Sequence, residues 1–118
     1  VIIPARCWDG VGSKDLMEDL AEVDDPAELI QRAREKGFPP EGHKAFTVSR
    51  MLQRSRIYIT DTDIPEKTIR SIHLEYAKNV DQALEQITKE RDWGKNSTKH
   101  LVVLPDGIKT IPVFNEKI

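Results

Sequence analysis

Apolar residues along the chain follow two rhythms, short dense runs and longer spaced stripes. Residues 1–5 form a short apolar run with Pro4 near its end, which fits a buried strand. Pro4 has no N–H, so this strand lies at a sheet edge or stops pairing there. Arg56-Ile57-Tyr58-Ile59-Thr60 is rich in β-branched and aromatic side chains and predicts a second strand. Leu74-Glu75-Tyr76-Ala77 alternates weakly as a third. Residues 100–104 are the strongest apolar run, predicting a buried strand that begins at His100 and is closed by Pro105-Asp106-Gly107. The tail Ile111-Pro112-Val113-Phe114 predicts an additional edge segment.

The spaced stripes lie between these runs. Ser13 is placed to cap a helix whose apolar positions are Leu16, Met17, Leu20 and Ala21. Asp25-Pro26-Ala27-Glu28 is the clearest helix start, with Asp25 accepting the N3 amide, Pro26 at N1 and Glu28 reaching back to the cap. Leu29, Ile30 and Ala33 form that helix's stripe, and Gly37 suits its left-handed end. Gly42 then reads as a flexible glycine before a helix over 43–55, with Ala45, Val48, Met51 and Leu52 inward. Pro65 and Glu66 open a short helix containing Ile69 and Ile72, with His73 near its end. Asn79 and Gln82 make a further capping box ahead of Ala83, Leu84 and Ile87.

Strands alternating with helices predict right-handed crossovers and a Rossmann-like, three-layer α/β/α sandwich. The expected sheet is mostly parallel, with about four strands, in a single domain over residues 1–118. Functional groups in such sheets collect in the loops after the carboxyl ends of the strands. Those loops are residues 7–14, 61–63, 78–79 and 105–110.

Charge narrows the function classes. Lys and Arg number 18 against 20 Asp and Glu, a net charge of −2, which offers no field to gather nucleic acid or an anionic membrane. No apolar run approaches the roughly 18–20 residues needed to span a bilayer. The lone Cys7 excludes an internal disulfide and suits a reducing, cytoplasmic setting. The chain opens on a strand pattern without Met, which suggests a fragment or proteolytic product of a longer protein.

The turn Asp9-Gly10-Val11-Gly12-Ser13-Lys14 is the first candidate for chemistry. Two glycines between a strand and a helix let the backbone approach a ligand, and free helix amides with Lys14 favour a carboxylate or phosphate. Neither a Walker A loop nor a dinucleotide fingerprint is present. A tight turn capped by Ser13 explains the same residues. Cys7 lacks a neighbouring histidine in sequence, so an inert cysteine at a strand end is the plainer reading. His43, His73 and His100 lie too far apart for a local metal-ligand spacing. Asp61 and Asp63 suit Mg²⁺ or simple turn formation. His43 and Lys44 open a helix together, and Lys44 there opposes the helix dipole, so local stability does not explain it. No complete catalytic set is visible. From the residues alone, a stand-alone module binding a small phosphate or carboxylate and a structural assembly domain both stay open, as does self-association.

Three segments taken together resemble the C-terminal domain of the nickel-pincer-nucleotide lactate racemase family and its 2-hydroxyacid racemase and epimerase relatives. They are Val1-Ile2-Ile3 running into Cys7-Trp8-Asp9-Gly10-Val11-Gly12, then Gly42-His43-Lys44-Ala45-Phe46, and Leu104-Pro105-Asp106-Gly107. The resemblance implies one half of a cytoplasmic isomerase that interconverts stereoisomers of a small 2-hydroxy acid. It further implies a nickel-pincer nucleotide that takes a hydride from C2 and returns it, with histidines as acid and base. The cofactor lysine and those histidines belong to an N-terminal catalytic domain that this sequence lacks. The resemblance therefore implies no catalytic or metal-ligating residue here, no cofactor held by this chain, and no activity of the chain alone. Asp9, Gly10, Gly12, Ser13, Lys14, His43 and Lys44 are expected to face the interdomain cleft. Ser13-Lys14 departs from the further glycine and acidic residue common in the family.

Overall fold

A computed structural model describes residues 1–40, 42–91 and 98–113. Among them the elements are β1 (Ile2–Pro4), α1 (Lys14–Glu22), α2 (Ala27–Lys36), α3 (His43–Leu52), β2 (Tyr58–Thr60), α4 (Glu66–Ser71), β3 (Glu75–Tyr76) and α5 (Val80–Glu90). The three strands are parallel, in the order β1-β2-β3. Ile2 stands beside Tyr58 and Tyr58 beside Glu75.

Register and alternation assign the layers. Ile2 and Tyr58 share a face and pack with Ala77, Ala83 and Ile87, so α5 covers that side. Leu74 alternates with Glu75 and therefore points to the other side, where it joins Leu20, Ala45 and Ile72 with Leu16, Met17, Leu29 and Val48. Helices thus cover both faces, the expected three-layer α/β/α arrangement. Tyr58 and Thr60 are fully buried at the centre of the sheet.

Local chemistry sets the helix ends largely as expected. The Leu16 amide donates to Ser13 Oγ at 3.4 Å. Asp25 Oδ1 accepts from the Ala27 amide at 2.8 Å, one residue earlier than the expected Glu28 amide, while Glu28 Oε1 accepts from the Asp25 amide as expected. Gly37 closes α2 with φ +74° and its amide on the Ala33 carbonyl. The Gln82 amide donates to Asn79 Oδ1 at 2.9 Å. Gln82 reaches back one residue further than expected, accepting from the Lys78 amide.

Four expectations are corrected. Residues 100–104 form no strand: they pair with none of the described residues in the sheet, and Leu101, Val102 and Val103 are 68–75% exposed. The sheet of the described residues consequently has three strands rather than about four. The physical reason is that an apolar run is buried only when a neighbouring strand completes its backbone bonds and a helix covers it, and none of the described strands pairs with 101–104. The tail fares the same, with Ile111 and Val113 exposed and outside any strand, while Phe114 lies outside the described residues. The third helix stops at Leu52, and its phase differs: Ser49 is buried whereas Met51 is exposed. Gly42 is packed, not flexible. A Cβ there would meet the Pro39 ring at 2.6 Å, and its amide donates to the Pro39 carbonyl.

Candidate functional site

The loops after β1, β2 and β3 meet at the carboxyl end of the sheet. Two leave their strands through non-glycine residues in the left-handed region, Cys7 at φ +55° and Asp61 at φ +53°. Aspartate adopts this conformation readily and cysteine does not, so the first turn is held by what surrounds it. Gly10, at φ +74°, donates its amide to the Cys7 carbonyl at 2.9 Å and closes that turn.

Backbone bonds lace the loops together. The Asp63 amide donates to the Arg6 carbonyl at 2.9 Å, and the Asp61 amide to the Lys78 carbonyl at 3.2 Å. The Arg6 guanidinium lies 3.5 Å from the Asp63 carboxylate and stacks over Trp8, 5.0 Å from the ring centroid. Thr60 Oγ1 donates to Asp61 Oδ2 at 2.8 Å. Both aspartates are therefore engaged within the protein. Among the described residues no three His, Cys, Asp or Glu side chains gather as a metal site.

The sequence-expected residues fall into two places. Asp9, Gly10, Gly12 and Lys14 are exposed along the carboxyl edge, with Ser13 half-buried as the cap of α1. A Cβ at Gly10 or Gly12 would meet nothing within 4 Å, so the outer side of this turn is open. His43 and Lys44 are exposed on the first turn of α3. Next to that turn, Gly42, Ala45 and Phe46 line a hollow of about 220 Å³ with Asp19 and Glu22, the second half of α1 rather than its start. Phe38 meets Phe46 edge-on across 5.1 Å at the same hollow.

Sequence reading missed the Arg6–Asp63 pair. Both follow strands whose adjacency only the fold reveals, so no local pattern in the sequence signalled the pair. It also missed the work of His73. At φ +64°, its Nε2–H donates to the carbonyls of Leu20 and Val23 at 3.0 and 2.9 Å, tying the end of α4 to the end of α1. At the opposite, amino end of the sheet, Arg56 pairs with Glu75 and Glu90, and Arg70 with Glu66 and Glu75. These carboxylates raise both guanidiniums, Arg56 well above its usual range chiefly through its hydrogen bond to Glu75, and Arg70 chiefly through its hydrogen bond to Glu66.

Comparison with known proteins adds to this geometry. The family described as Lactate racemase C-terminal domain matches residues 1–112. The chain belongs to that family. The chain is 28% identical over 115 residues to a lactate racemase of Lactiplantibacillus plantarum, covering 94% of the chain and 26% of that protein. The lactate racemase apoprotein of Thermoanaerobacterium thermosaccharolyticum shares its fold, with a TM-score of 0.67 at 23% identity over 75% of the chain and 22% of that structure. The domain thus spans about a quarter of the length of the relatives it matches. Among the described residues no helix is long and apolar enough to cross a membrane.

Proposed function

We propose that this chain is the C-terminal domain of a nickel-dependent, lactate-type 2-hydroxyacid racemase or epimerase. It forms one wall of an active site shared with an N-terminal catalytic domain, works in the cytoplasm, and is inactive alone. The observation that carries this reading is the family match over residues 1–112 in a chain one quarter the length of a lactate racemase.

The described residues do not fit a nickel site, since no three ligating side chains converge and Cys7 is the lone cysteine. It is the resemblance to the lactate racemase family that assigns nickel and its nucleotide to the rest of the longer protein. The contribution of this domain is positional. Asp9, Gly10, Gly12, Ser13 and Lys14 face the cleft from the carboxyl edge, and His43 and Lys44 face it from α3. A 2-hydroxy acid carries a carboxylate, and the first turn of α1 with the Lys14 ammonium offers the matching positive end. Ser13 Oγ accepts from the Leu16 amide and keeps its O–H to donate, and Lys14 supplies the positive charge of the contact.

The test is racemisation of D- and L-lactate, and of bulkier 2-hydroxy acids, by the longer protein and by this chain alone. Activity is expected only in the longer protein. Lys14→Ala there should lower kcat/KM roughly ten- to a hundredfold, mainly through KM, as loss of a charged hydrogen bond does. Turnover by the isolated chain, or unchanged kinetics for Lys14→Ala, would sink the assignment.

A further inference from the structure

Among the described residues, two parts of the chain are without the partners their chemistry calls for, and each supplies what the other needs. The first is the outer edge of β1. The Val1 carbonyl accepts from the Tyr58 amide at 2.9 Å, and the Ala5 amide donates to the Thr60 carbonyl at 3.0 Å. Backbone direction alternates along a strand, so Val1, Ile3 and Ala5 address β2 while the N–H and C=O of Ile2 and the C=O of Pro4 point away from it. The missing N–H of Pro4 falls on this outer side, the place an edge strand tolerates proline. Val1 and Ile3 are themselves exposed beside it. The second part is Leu101-Val102-Val103-Leu104, an apolar, exposed segment outside any assigned element.

Topology brings the two together. From β1 to β2 to β3 the sheet advances in one direction, with the connecting helices on one face. The helix after β3, α5, lies on the other face and packs over β1 and β2. A crossover on the opposite face keeps the same hand only by stepping backward, toward β1. The chain also leaves α5 at the correct end. Glu90, its last residue, pairs with Arg56 just ahead of β2, and the positive charge of Arg91 acts on the Val1 ammonium at the start of β1. Ten residues then separate α5 from Leu101, a reach of up to roughly 33 Å at full extension.

We propose that residues 101–104 dock on the outer edge of β1 as a fourth, parallel strand, making the order 101–104, β1, β2, β3. The segment is held off the sheet in the structure described, and the docked form is its second arrangement. Docking covers Val1 and Ile3 and satisfies the free backbone groups of Ile2. It also sets the turn Pro105-Asp106-Gly107, closed by the Lys109 amide on the Asp106 carbonyl, beside the Cys7–Gly10 turn. The direction of the sheet then reverses at β1, and crevices at such reversals are where ligands bind in open α/β sheets.

The test is amide exchange by NMR on this chain and on Val102→Pro and Val103→Pro. The Ile2 amide should exchange at least about tenfold more slowly in the parent than in one proline variant, because a ladder bond is lost only where the N–H faces β1. The other variant should keep most of the protection. Helical circular dichroism should not change in either, since the packed clusters do not include this segment. Nuclear Overhauser contacts should place Leu104 near Ala5. An unprotected Ile2 amide in the parent, equal loss in both variants, or Leu104 near Val1 would overturn the proposal. Protection that grows with protein concentration would also overturn it, by assigning the edge to a second copy.

Discussion

Residues 57–60 and 101–104 are alike as sequence and opposite as structure. Each is a run of four residues dominated by branched or aromatic side chains. In the first, Tyr58 is 1% exposed and Thr60 fully buried, because β1 and β3 flank them and helices cover both faces. In the second, Val102 and Val103 are 75% and 72% exposed. Composition makes a segment able to be a strand. Burial belongs to the neighbours, which must complete its hydrogen bonds and cover its side chains.

Breaking the buried run should have the largest effect. Tyr58→Ala is expected to cost about 3–5 kcal/mol in denaturant unfolding, from lost burial and the cavity left behind. Val103→Ala should cost at most about 1 kcal/mol, since even a docked edge strand is only partly covered. Equal losses would erase the distinction between the two runs.

A smaller contrast separates a packed glycine from an open one. Gly42→Ala drives a methyl into the Pro39 ring and should cost about 1–3 kcal/mol by overpacking. At Gly12 the same change meets empty space in this chain, so the unfolding midpoint should stay put. If Gly12→Ala nevertheless lowers turnover in the longer protein, the turn approaches something outside this domain. A Gly42→Ala chain as stable as the parent would show that the Pro39 contact is easily relaxed.

The smallest expected effect concerns pH. Burial, ahead of the nearby carboxylates, raises the Tyr58 phenol above its ordinary value of 10, while Arg56 opposes the shift. A raised phenol pKa means that its stabilisation is complete below pH 10 and is lost as pH rises through the folded value. Stability measured from pH 9 upward, at about half-unit steps, should therefore fall more steeply for the parent than for Tyr58→Phe. Parallel curves would remove Tyr58 from the alkaline transition.

What was legible in the sequence was what neighbouring residues decide among themselves. Ser13, Asp25 with Glu28, Gly37 and Asn79 announced helix ends because caps close on amides two or three residues away. The lateness of Gln82, which binds the Lys78 amide, shows the limit of that accuracy. Helix phase was less legible. Ser49 is buried while Met51 is exposed, although hydrophobicity favours the reverse, because the direction of α3 is set by its packing on α1 and α2. In the candidate site, the turn and its exposed residues were readable, whereas Arg6–Asp63 joins positions far apart in the chain and waited on strand order.

By itself, then, the sequence determined the kinds of elements, their alternation and hence the parallel α/β/α class, since local dihedral preference and apolar period suffice for that. Only the tertiary structure decided which apolar run is interior, that α5 covers the face opposite α1 and α3, and that the strand-end loops lace together through Arg6, Asp61 and Lys78. Those outcomes depend on contacts between residues dozens of positions apart, whose free energies exist only once the strands have been brought side by side.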